Sequence, residues 1–514
     1  MKNVLIILMT LSFSVSLQAQ YSFPKSEKED KDKTMSAAYW KIWNPQVQAQ
    51  IDKDIEKNRK ADGKISLTDF DADSEVKIEQ ISHDFIFGAH IFNFNQLGKT
   101  EYNEKYKELY GTLFNSATIA FYWRMFEMQT NRPRFKEEYW DTEEYWNNVA
   151  EPKKEPHWRR PATDPVVEFC ESKGIRLHGH PLIWGDRGWG IPTWLIQSFM
   201  SEEEKAKMDK SIVKNIENYL DDERYRKDDM HLTPSQLEEM IPNFTTKFKS
   251  RFEKRIVDIA NYYGGRIHSW DVVNESATDY QNGVLIPGSA LTKSVYGIMP
   301  GDYTYEAFKV ATKVFPENVL LNINDFNLSE SYAEQTKDLI ARNCKVDIMG
   351  SQMHLFNPQQ CLDIAAGKEI QTPDHIWGWA KRLSEAQLPI HQSEITITSP
   401  GNDAKGRQIQ AIITQNLYRL WFSLELMMGI TWWNVVDDCG APGEPSVSGI
   451  FTREMVAKPA YYALDNLINN EWKTNIKAKP NKNGEIQFRG FKGNYRVSWK
   501  DKEGNTQTKE YYLK

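Results

Sequence analysis

The sequence predicts an α/β fold, a (β/α)8 TIM barrel with small β-rich N- and C-terminal extensions. Three observations lead there. Eight short apolar runs alternate with longer amphipathic stretches across residues 81–470, the repeat that such a barrel requires. No glycine-rich phosphate turn follows the first run, as a doubly wound nucleotide-binding sheet would demand. After residue 470, apolar and polar residues alternate between Asn-Gly at 483–484 and Glu-Gly at 503–504, which reads as short strands and tight turns.

The elements follow in chain order. Residues 1–19 carry Lys2, an apolar run over 4–17 and the small residue Ala19, the pattern of a secretory signal peptide. That run is too short for a membrane helix, which takes about 20 apolar residues. No later segment is apolar enough to span a bilayer, so the expectation is a secreted protein of the periplasm, cell surface or medium. Residues 20–80 are expected to hold a flexible polar leader (20–35), a helical stretch from Ile51, and two strands around the turn at 69–74. The barrel strands are placed at 85–90, 117–123, 175–184, 266–273, 319–325, 346–354, 388–394 and 429–436, with amphipathic helices such as 245–262 and 407–427 between them. Residues 471–514 are expected to form a four-stranded meander, packed on the N-terminal β segment or on the barrel as a brace.

Composition narrows the function. The 514 residues carry a net charge of −7 without a long basic block, which argues against nucleic acid as a partner. The 17 Trp, 23 Tyr and 24 Phe supply flat faces suited to a core and equally to stacking on sugars. The four cysteines, Cys170, Cys344, Cys361 and Cys439, show no CxxC or zinc-like spacing. Buried thiols are expected, with Cys344–Cys361 as the pair best placed in sequence for a bridge. Nothing in the sequence speaks to oligomeric state, and a monomer is the working expectation.

Barrel active sites lie at the C-terminal ends of the strands. Read in order, those ends offer His90, Trp123, His180 with Trp184, Asn274 with Glu275, Asn324 with Asp325, Gln352 with His354, Glu394, and Trp433 with Asp437. Hydroxyl-rich rings call for this mixture of carboxylates, amides, imidazoles and indoles. Glu275 ends the fourth run and Glu394 the seventh, across the barrel mouth from each other. A facing pair of carboxylates is what glycoside hydrolysis needs, one as acid and the other as nucleophile or base. Either residue alone could equally be a strand-end carboxylate in a salt bridge.

The fragments GHPLIW (179–184), WDVVNE (270–275), NDFN (324–327), GSQMHL (350–355), PIHQSEI (389–395) and TWWNVVDD (431–438) together resemble glycoside hydrolase family 10, the endo-β-1,4-xylanases. The resemblance implies a retaining endo-hydrolase of xylan, a polysaccharide substrate, and neither cofactor nor metal. It assigns Glu275 as acid/base and Glu394 as nucleophile. It also assigns Asn274 to the 2-hydroxyl of the −1 sugar, Gln352 and His354 to orienting the nucleophile, and His180, Trp184 and Trp433 to the −1 wall.

The resemblance fails at the second strand. Family xylanases carry Glu-Asn there, with Lys three residues on, to bind the −2 sugar; this chain has Ala120, Phe121 and Arg124. A sugar hydroxyl left unpartnered at such a site costs about 1–3 kcal/mol. Gly185 replaces a usual His, and Ala441 a usual second indole. Trp123 and Arg124 are therefore candidates to rebuild the subsite, with Arg124 meeting an acidic substituent such as a uronic acid. A different β-glycan, or a barrel that binds sugar without cleaving it, are the alternatives. A metal-dependent hydrolase lacks a ligand set.

Overall fold

The computed structural model describes residues 23–186, 188–207, 239, 241–281, 299 and 301–514; the expected signal peptide lies outside them. Two strands precede the barrel, β1 (Lys60–Ser66) and β2 (Val76–His83). The barrel strands are β3 (Ile86–His90), β4 (Ser116–Ala120), β5 (Arg176–His180), β6 (Ile183–Trp184), β7 (Ser269–Asn274), β8 (Leu320–Asp325), β9 (Ile348–Leu355), β10 (Ile390–Ile397) and β11 (Met427–Trp432). All pair in parallel, and contact between β5 and β7 closes the ring. β5 and β6 are two halves of one barrel strand, interrupted at Pro181, which has no N–H to donate. Each strand falls on one of the eight apolar runs.

Closure requires glycine at Gly179, where a Cβ would stand 2.2 Å from the Trp270 ring. Helices cover the outside. Pro242–Tyr263 turns Phe244, Phe248, Phe252, Ile256 and Ile259 inward, the one-face spacing of an amphipathic helix. Ala404–Ser423 is buried along nearly its whole length because Pro45–Arg59 covers its outer face. There Gln48 donates to Asn416 Oδ1 at 3.0 Å and Arg419 pairs with Asp52 at 2.6 Å. All four cysteines are buried and free, Cys344 and Cys361 included. Among the described residues no helix is long and apolar enough to cross a membrane.

Two expectations are corrected. The polar stretch read as a flexible leader is anchored from Phe23 onward. Asp30 accepts from the backbone of Thr34 and Met35 and from Trp40 Nε1, and Phe23 and Met35 are buried against the barrel. The C-terminal strands do not form a meander. β12 (Asn475–Ala478) pairs with β2, and β13 (Glu485–Phe491) with β1. β14 (Gly493–Lys500) lies between β2 and β15 (Thr506–Leu513). The two chain ends thus interleave around a small core that includes Ile65, Val76, Ile78, Ile486, Tyr495 and Val497. Alternation defines a strand's inward face but not its partner, so strands and turns were readable and pairing was not.

Candidate active site

Backbone irregularities aim both carboxylates. Glu275 follows β7 in the left-handed region, φ 60°, which a non-glycine residue adopts only when its surroundings enforce it. Its N–H donates to Asn324 O at 2.7 Å. In β10 the register shifts between Gln392 and Glu394, so Ser393 is an extra residue that re-aims Glu394.

A chain of side-chain amides joins the two acids. Asn324 Nδ2 donates to Glu394 Oε1 and to Asn274 Oδ1, both at 2.8 Å. Gln352 Nε2 donates to the same Asn274 oxygen at 3.1 Å and to Glu275 Oε1 at 3.3 Å. Asn274 and Asn324 sit opposite each other in the parallel register of β7 and β8, and Gln352 lies opposite Glu394 in that of β9 and β10. Gly350 makes room, since a Cβ there would stand 2.2 Å from Asn324 Oδ1. With Asn274 Oδ1 taken twice, its Nδ2 is left as the donor for a ligand hydroxyl.

Each acid has further partners. Trp184 Nε1 donates to Glu275 Oε2 at 3.0 Å. His354 Nε2 lies 3.3 Å from Glu394 Oε2, and its Nδ1 is 2.9 Å from Thr396 Oγ1. His180 Nε2 stands 3.6 Å from Glu394 Oε1, and its Nδ1 is 2.7 Å from Asp271 Oδ2. Burial works against a charge on His180, but the carboxylates of Glu394 and Asp271 outweigh it and raise its pKa. Asp271 is held well below the usual carboxylate range despite burial, by His178 and His180. Behind Glu275, burial pushes Asp325 up to about 8, against backbone donors from Ala277 and Asn327.

An aromatic wall completes the cleft. Trp433 meets His90, Phe92 and His180 edge-on at 5.1–5.4 Å between ring centroids. Tyr122 meets His180 at 5.3 Å and Trp184 at 5.7 Å. Among the described residues no group of three or more His, Cys, Asp or Glu is placed to hold a metal.

The structure brings together Glu275, Glu394, His180, Trp184, Asn274, Gln352, His354 and Trp433. No hydrogen bond or ion pair among the described residues joins Arg124 to them: Arg124 Nη1 donates to Gly188 O at 2.9 Å, in the loop after β6. Trp123 is buried and donates to Glu127 at 2.9 Å, and Asp437 pairs with Lys458 at 2.9 Å. Of the two apolar replacements, only Ala120 joins the cluster of Phe92, Tyr122 and Trp433. Phe121 packs on Trp270 in the core at 4.6 Å. Sequence reasoning missed Thr396, Asp271, Tyr122, Phe92 and Arg160, and left the role of Asn324 open. Thr396 was findable, because it lies two residues from Glu394 on the same strand face. Arg160 comes from a long loop that carries no pattern.

Residues 79–228 and 230–467 match the sequence pattern of glycosyl hydrolase family 10. Endo-1,4-beta-xylanase C of Paenibacillus barcinonensis is 23% identical over 396 residues, covering 72% of this chain and 30% of that protein. Exoglucanase XynX of Acetivibrio thermocellus is 22% identical over 313 residues, covering 59% and 24%. The chain thus spans less than a third of the length of these two relatives. The solved structure of GH10 from Paenibacillus barcinonensis aligns with a TM-score of 0.46 at 20% identity, covering 75% of this chain and 96% of that one.

Proposed function

Because the chain belongs to glycosyl hydrolase family 10, we propose that it is a secreted, monomeric endo-hydrolase of the β-1,4-xylosidic bonds of xylan, working by retaining double displacement. The observation that carries this is the amide chain from Glu394 through Asn324, Asn274 and Gln352 to Glu275. It ties the two carboxylates together through hydrogen-bonded amides, which supports their reading as an acid and a nucleophile acting on one bond. The xylanase names among its relatives favour xylan as the substrate.

In the first step Glu394 attacks the anomeric carbon as a carboxylate, while Glu275 gives its proton to the departing glycosidic oxygen. The C1–O bond breaks, and an ester between the sugar and Glu394 replaces it. Glu394 is then uncharged and Glu275 is a carboxylate. In the second step Glu275 takes a proton from water, the water oxygen attacks C1, and Glu394 leaves. Two inversions return the original anomer. Asn274 Nδ2, with Oδ1 already taken, serves as donor to the 2-hydroxyl in this reading, a contact that tightens as charge develops at the ring.

The test is a product profile on plain, glucuronic-acid-decorated and arabinose-decorated β-1,4-xylans, β-1,3-xylan and β-glucans, with Glu394→Ala as blank. Xylo-oligosaccharides from the wild type alone, with the β-anomer appearing first by NMR, is the expected result. Release from β-glucan only would favour a second reading, the same chemistry on another β-glycan. Ala120 in place of a polar −2 partner and an exoglucanase among the relatives support that reading. Export is tested separately: mature protein recovered outside the cytoplasm should begin near residue 20.

A further inference from the structure

Arg159 and Arg160 are neighbours in sequence, buried to 1% and 5% exposure, and differently satisfied. Arg159 has partners at both terminal nitrogens, although its Nε is buried without one. Its Nη1 pairs with Glu444 at 3.1 Å, and its Nη2 reaches Asn434 Oδ1 and His90 Nε2 at 3.0 Å. Arg160 has one: Nη1 donates to Arg159 O at 2.8 Å. Its Nε is buried without a partner. Among the described residues Nη2 makes no hydrogen bond and no carboxylate pairs with the guanidinium. Burial pulls the group down to about 9, which leaves it charged at neutral pH.

Aromatic rings surround that charge. The guanidinium carbon lies 4.0 Å from the centroid of Tyr122, 5.1 Å from Phe92 and 5.3 Å from Trp189. The ring faces attract a cation but give its N–H groups no acceptor, and an unmatched buried charge is costly. Tyr122, the nearest of the three, is also the ring beside His180 and Trp184, so the cage borders the cleft that holds Glu275 and Glu394. The unpartnered atoms, Nε and Nη2, form one edge of the guanidinium fork, the edge that takes a carboxylate in two parallel hydrogen bonds. Its backbone is held as well, because Arg134 Nη1 donates to Arg160 O at 2.7 Å.

We propose that Arg160, with Tyr122 beside it, forms a subsite for a carboxylate on the substrate, the acidic side group of a uronic-acid-decorated xylan, on the β4 side of the cleft. The sugar ring lies against the aromatic faces, and its carboxylate takes the Nε–Nη2 edge and the Tyr122 hydroxyl. This rests on the xylan reading above and gives the decoration a place where Ala120 cannot bind a neutral sugar.

The experiment is calorimetry on the full-length Glu394→Ala chain with two ligands. One is a xylo-oligosaccharide bearing a glucuronic acid side group; the other is the same compound with its carboxyl reduced to a hydroxymethyl. The acidic ligand should bind about tenfold more tightly, with an advantage that shrinks as salt rises. Adding Arg160→Gln should bring the ratio near one, and Arg160→Lys should restore part of it. Tyr122→Phe keeps the cage and should lower the ratio about threefold, so it carries the test if Arg160→Gln does not fold. A ratio near one before either change, no change in Tyr122→Phe, or equal weakening of both ligands by Arg160→Gln overturns the proposal, the last making Arg160 a brace for Tyr122. Failure to bind either ligand would sink the xylan reading with it; good neutral binding at a ratio of one sinks this inference alone.

Discussion

At the scale of single residues, the amide of Asn324 is the shared support of the site. It holds Glu394 and Asn274 at once. Asn324→Ala should lower kcat about 100-fold with KM changed far less, because near-attack placement is lost while the sugar contacts remain; steady-state kinetics on a xylo-oligosaccharide would read this. A fall confined to KM would mean that Asn324 touches only the ground state. His180 offers a second test. Its pKa is raised because the Glu394 and Asp271 carboxylates outweigh burial. In Asp271→Asn one of those carboxylates is gone, and NMR titration should place the His180 pKa below its wild-type value. The linked stability follows. A raised histidine contributes fully below its unfolded value and loses that contribution as pH rises through the folded one. The wild-type thermal midpoint should therefore fall across that window, and fall less in Asp271→Asn. These partnerships were only half legible in sequence. The strand ends announced Glu275, Glu394, Gln352 and His354, whereas which amide oxygen meets which nitrogen depends on register across three strands.

At the scale of elements, the β10 bulge decides where Glu394 points. Side chains alternate along a strand, so removing one residue turns everything after it to the other face. Deleting Ser393 should abolish hydrolysis while circular dichroism still shows a folded barrel. Retained activity would mean that the strand slides to recover Glu394. The eight strands were legible because each is a short apolar run buried on both faces. The bulge was not, since Gln392, Ser393 and Glu394 read like any polar strand end. Arg124 shows the same limit. Its position in sequence pointed to the cleft, and only the structure shows that the loop after β6 supplies Gly188 O as the acceptor for its Nη1.

At the scale of the whole molecule, the two chain ends fold as one unit. β1 and β2 find their partners in β13, β12 and β14, over 390 residues further along. Removing residues 475–514 would expose the inner faces of β1 and β2 and should lower the thermal midpoint by more than about 5 °C. An unchanged midpoint in scanning calorimetry would show that the terminal unit melts independently of the barrel. By itself the sequence determined the barrel, the order of its strands and the two candidate carboxylates at their ends. Those follow from local periodicity and from residue types at strand ends, and neighbouring strands of a (β/α)8 barrel are neighbours in the chain. Only the tertiary structure decided the pairing of the terminal strands, the amide chain between the acids and the aromatic cage around the Arg160 guanidinium. Each of these depends on contacts between residues distant in sequence, and no local pattern encodes which partner a hydrogen-bonding edge or a buried cation will meet.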